Sequence, residues 1–128
     1  EIDPFLFRHS RGCVNHPTAL DFEAALARAQ VECGLVPQAA LNPIIESCRH
    51  ENIDFAALGQ AAASAGNLAI PLVKQLTARV KQRDDAAARY VHWGATSQDA
   101  IDTGFILQLR GALAETESLL QQLLDALA

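Results

Sequence analysis

From Gln98 to Ala128 the chain carries no proline and only two glycines, Gly104 and Gly111. That scarcity of helix breakers predicts one uninterrupted helix to the last residue. At ~1.5 Å rise per residue it would be about 45 Å long. Phe105, Leu109, Leu113, Thr116, Leu120, Leu124 and Leu127 recur at spacings of four, four, three, four, four and three. Such spacing is that of a bundle or coiled-coil seam, which Leu107, Leu119 and Leu123 widen. The shorter helices expected upstream cannot cover this length. An apolar stripe that outruns its own domain packs on partners. The expectation is therefore association with other chains, or continuation past Ala128, where no Gly, Asn or Pro supplies a stop. The absence of any Met, even at position 1, points the same way, to a trimmed start or a piece of a longer protein.

Upstream, Ala and Leu dominate and aromatics make up 5% of the chain, which favours helix over strand. Residues 1–17 read as an irregular, locally basic lead-in, broken by Pro4 and Pro17, with a ligand-binding arm as the alternative. A first helix is expected from Thr18 to Cys33, with Thr18 and Asp21 as a capping pair and Gly34 as the stop. Leu20, Ala24, Ala27 and Val31 form its apolar stripe, with Leu26 beside it. Pro37 opens the next helical stretch, and Asn42–Pro43 are expected to cap a separate short helix reaching Cys48. Asp54 caps a helix through Ala65 that Gly66–Asn67 ends. Pro71 starts another to Val80, and Asp84–Asp85 open a short turn of helix fading near Tyr90. Tyr90–Trp93 is too short for a strand before Gly94 breaks it. The chain reads as all-α, with a helical domain over 18–95 and the start of a long bundle helix over 96–128.

The bulk numbers exclude several classes. A net charge of −5 with no basic stripe gives no support to nucleic-acid binding. No apolar run reaches the ~18–20 residues that cross a bilayer, and no secretory pattern opens the chain. Cys13, Cys33 and Cys48 lack CxxC spacing and read as free thiols in a reducing compartment, so the expected location is cytoplasmic. No metal-ligand spacing, GxSxG elbow, Walker loop or GxGxxG is present. Lys74, Asp84, Asp85, Glu115 and Glu117 read as solvated surface charge.

The chemistry concentrates in His92-Trp93-Gly94-Ala95-Thr96-Ser97-Gln98-Asp99, where a glycine-containing loop turns into the long helix. Thr96 at the N-cap accepts from the Asp99 N–H, and the Asp99 carboxylate reaches back to the Thr96 N–H. One reading stops there, at a capping box. The other adds a ligand. The first N–H groups of a helix lack internal partners and sit at the positive end of its dipole, so together with two hydroxyls they can hold a carboxylate or phosphate.

The stretch HWGATSQDAIDTGFILQLRGAL resembles the first signature region of the fumarase/aspartase superfamily, in its H-x-G-x-T-S-x-D-x-x-D-T form. Two further stretches, Leu20–Ala29 followed by Gly34–Pro37, and Ala65–Lys74, are similar to the 3-carboxy-cis,cis-muconate cycloisomerase branch. Where the lyases carry a catalytic His-Asp pair, this chain has Asn67–Leu68. The resemblance spans residues 18–128. It implies a longer, mostly helical enzyme whose central bundle makes a homotetramer, with each site shared by three subunits and no metal or organic cofactor. The implied reaction is lactonisation of 3-carboxy-cis,cis-muconate in protocatechuate breakdown, a small polycarboxylate being the substrate. On this resemblance Thr96 and Ser97 hold a substrate carboxylate, His92 binds substrate, Gln98 and Asp99 line or brace the turn, and Asn67 supplies an amide contact. The later family regions, with a catalytic histidine and a mobile serine loop, do not appear, so no catalytic residue is assigned and the 128 residues alone are expected to be inactive. The rival readings are an adenylosuccinate- or argininosuccinate-type lyase and a non-catalytic helical oligomerisation module.

Overall fold

Helix α1, His16–Glu32, starts two residues before the sequence suggests, in a computed structural model that describes residues 16–128. Thr18 therefore lies inside the first turn rather than at its cap. Pro17 fits there because first-turn N–H groups need no intrahelical acceptor. The lead-in residues 1–15, with Cys13, lie outside the described residues. Past the other end, the Gly34 N–H donates to the Val31 carbonyl and Leu35 N–H to Gln30 (2.9 and 2.8 Å). The expected stripe is in place: Leu20, Ala24 and Ala27 are buried.

Helix α2, Gln38–Ser47, runs through Pro43 without breaking, where the sequence suggested two pieces. Pro43 cannot donate to the Ala39 carbonyl. One lost bond does not split the helix, because Ala40, Ile44 and Ser47 lie at i, i+4 and i+7 and are all buried across the proline. A 3₁₀ turn, His50–Asn52, leads to α3, Phe55–Ala65. As expected, Asp54 caps α3 by accepting from the Ala57 N–H (3.0 Å). Gly66 closes it in the left-handed region (φ +65), which glycine enters without a Cβ clash.

Helix α4, Ala69–Arg83, begins before Pro71 because Asn67 Oδ1 accepts from the Ala69 and Ile70 N–H groups (2.8 and 3.4 Å). Gln75 ties it to the start of α3 through two bonds with the Asp54 backbone (3.1 and 3.2 Å). Asp84 then caps α5, Asp85–Ala88, accepting from Ala86 and Ala87 (2.8 and 3.1 Å). A run of turns over 89–94 leads to α6, Ser97–Leu127, 31 residues long.

No strand occurs among the described residues, and the fold is all-α. The core lies where α1–α5 pack around Leu20, Ile44, Leu58, Leu72, Leu76 and Val80, all essentially without solvent contact. Truncating one of them, such as Leu76, costs about 2–5 kcal/mol. Helix α6 docks its first turns against α1 and α4 through Ala100 and Gly104. From Leu109 onward every residue is exposed. No described helix is long and apolar enough to cross a membrane.

Candidate functional site

The site is built where α6 begins. Thr96 has extended backbone (φ −109, ψ 159), and the capping box is complete. The Thr96 N–H and hydroxyl both donate to Asp99 Oδ2 (2.7 and 3.0 Å), and Asp99 N–H donates to Thr96 Oγ1 (3.3 Å). The Thr96 N–H, followed by its hydroxyl, holds the Asp99 carboxyl below its ordinary range, so it is ionised at neutral pH. Thr96 is thus occupied by the cap. Ser97 is half-buried, and its hydroxyl engages none of the described side chains. Gln98 is turned along the helix, its amide donating to Asp102 (2.5 Å).

The loop leading in is held from two sides. Gln30 on α1 donates from Nε2 to the Trp93 carbonyl (2.5 Å), while the Trp93 ring stays half-exposed against Tyr90, with ring centroids 5.1 Å apart. Gly94 has φ +73 with open space around its Cα, so it is the left-handed backbone and not crowding that demands glycine. His92 also has positive φ (+56), which for a residue with a Cβ costs on the order of 1–3 kcal/mol.

What holds His92 there is Glu23 on α1. His92 Nδ1 lies 2.5 Å from Glu23 Oε1, with Phe22 edge-on at 6.4 Å. Burial pushes the Glu23 carboxyl up, and the facing His92 pulls it part of the way back. Sequence reasoning missed Glu23. The signal was available: a carboxylate three residues after Leu20, on the stripe that otherwise carries small and apolar residues.

Asn67 approaches α6 from the α3–α4 connection. With Gly66, Ala69, Ala100, Ile101 and Gly104 it lines a mostly apolar cavity of about 240 Å³. Its carbonyl oxygen caps α4, so its amide NH₂ is the end left for a ligand. The structure therefore gathers the six candidates unevenly. Thr96, Ser97, Gln98 and Asp99 share the first turn of α6, and His92 anchors the loop before it. Asn67 faces the flank of α6 in a cavity whose lining includes none of the other five. The described residues contain no cluster suited to a metal ion.

A sequence profile of the family described as Lyase matches residues 8–128. The chain is 61% identical over 94 residues to 3-carboxy-cis,cis-muconate cycloisomerase of Bradyrhizobium diazoefficiens, covering 73% of this chain and 21% of that protein. Against the enzyme of the same name from Pseudomonas aeruginosa it is 58% identical over 109 residues, covering 85% of this chain and 24% of the other. The crystal structure of 3-carboxy-cis,cis-muconate lactonizing enzyme from Pseudomonas putida superimposes with a TM-score of 0.81 at 48% identity, covering 91% of this chain and 26% of that one. The chain thus spans about a quarter of the length of the relatives it matches.

Proposed function

We propose, from the fact that the chain belongs to the lyase family of the fumarase/aspartase superfamily, that it is the N-terminal part of a 3-carboxy-cis,cis-muconate cycloisomerase. The observation that carries the reading is the exposed N-terminus of α6, with the Ser97 hydroxyl beside the capping box engaging none of the described side chains. That is a donor set for a carboxylate. Residues 18–95 form the N-terminal helical domain, and 96–128 start a central bundle. The enzyme is a cytoplasmic homo-oligomer, a tetramer by the family resemblance, with a small polycarboxylate substrate.

In the proposed reaction one substrate carboxylate oxygen adds to a carbon of the diene. The electron pair of that double bond moves toward a second carboxylate, which carries the developing charge as its aci form. A proton delivered to the neighbouring carbon completes the lactone. Ser97 and the first N–H groups of α6 bind a substrate carboxylate, Thr96 joins them when its hydroxyl turns from Asp99 to the ligand, His92 and Asn67 add polar contacts, and Gln98 and Asp99 brace the turn. Donors aimed at charge that grows in the transition state are each worth ~3 kcal/mol.

The test is lactonisation by the full-length polypeptide, followed as loss of the conjugated diene's ultraviolet absorbance. Ser97→Ala is expected to lower kcat/KM by about 10²-fold with an unchanged thermal midpoint. Thr96→Ala is expected to lower both, its stability falling by ~1 kcal/mol for the lost cap. A full-length protein inert toward 3-carboxy-cis,cis-muconate overturns the proposal. A Ser97→Ala variant with wild-type kinetics removes the hydroxyl from the site.

A further inference from the structure

The Glu23–His92 pair is more than the fold requires. Glu23 is 2% exposed and sits among the apolar positions of α1. A buried carboxylate is costly even when paired, and a well-packed apolar residue would hold the same helices at no loss. Its partner, 69 positions away, keeps a left-handed backbone. Both unfavourable features converge on the loop that ends at Thr96.

We infer that Glu23 is a positioning residue of the carboxylate site: through His92 Nδ1 it sets the orientation of the imidazole and the path of the loop that delivers Thr96 and Ser97. This rests on the functional reading above. With Nδ1 given to Glu23, Nε2 is the ring nitrogen left to meet a ligand, and it engages none of the other described residues. A carboxyl fixed on Nδ1 decides which nitrogen the ring turns outward, and leaves Nε2 to meet the carboxylates of a polyanionic substrate. Among the other described ionisable groups, Cys48, whose thiol burial keeps neutral, lies near Glu23, and the Asp99 carboxylate at the start of α6 lies near His92.

The experiment is a double-mutant cycle in the full-length enzyme, assayed with 3-carboxy-cis,cis-muconate. Glu23→Gln keeps the shape and removes the carboxyl; it is expected to raise KM about tenfold while kcat changes less than about threefold, as for loss of one well-placed polar contact in the bound state. Glu23→Asp, which keeps a carboxyl, is expected to recover part of that loss. In a His92→Asn background, Glu23→Gln is expected to leave KM unchanged, because Glu23 acts through the ring. Far-ultraviolet circular dichroism melts check that each variant folds. A merely structural Glu23 would instead lower the thermal midpoint in both backgrounds and leave the KM of the folded fraction alone, and that result overturns the inference. So does an equal rise in KM with and without His92. A wild-type enzyme with no activity on this substrate removes the functional reading and this inference with it; normal wild-type kinetics beside an unaffected Glu23→Gln removes the inference alone.

Discussion

At the scale of single residues, burial decides which reactive groups are available. Cys48 is half-buried, and loss of solvent pushes its thiol up to about 12, whereas Cys33 is exposed at the end of α1. Iodoacetamide at mildly alkaline pH should label the native protein at Cys33 and leave Cys48 unmodified until denaturant is added, read by peptide mass spectrometry. Asp99 gives a pH signature. Its folded value is lowered from the ordinary 3.8, so its contribution to stability is complete above that value and is lost as pH falls through the folded value. Wild type and Asp99→Asn should therefore differ in thermal midpoint near neutral pH and converge in acid. The Thr96–Asp99 box was legible in the sequence because a cap is a contact across three residues. Glu23's unusual place on the apolar stripe was legible too, but its role was not, because that depends on a histidine 69 positions away.

At the scale of elements, local signals located most of the helices and tertiary packing moved their ends. Asp54, Gly66 and Asp84 act where the sequence put them, since each satisfies backbone groups within its own turn. Pro43 was misread as a boundary. The chain keeps α2 whole because the faces on either side of the proline bury against the same core. Pro43→Ala is expected to stabilise the protein by about 1–2 kcal/mol, the restored bond to Ala39 outweighing the added freedom of the unfolded chain. A urea midpoint that rises with an unchanged slope checks this. Helix α4 also starts earlier than Pro71 suggests, because Asn67 turns its carbonyl to the first N–H groups. That second duty divides the candidate's amide between fold and ligand.

At the scale of the whole molecule, α6 dominates. Phe105, Leu109, Leu113, Leu120, Leu124 and Leu127 are each between 42% and 77% exposed, so the seam has no partner within the described residues. Sedimentation velocity on the 128-residue chain is expected to show association, and Leu120→Glu with Leu124→Glu to shift it toward the monomer at unchanged helicity. A stable wild-type monomer with α6 folded counts against the bundle. The helical class, the capped turn at Thr96 and the unpartnered seam were determined by the sequence alone, because propensity, caps and periodicity act over a few residues. The partner of His92, the continuity of α2 and the placing of Asn67 against the flank of α6 were decided only by tertiary structure. Those depend on which faces share the limited apolar interior, and burial couples positions that local rules treat as independent.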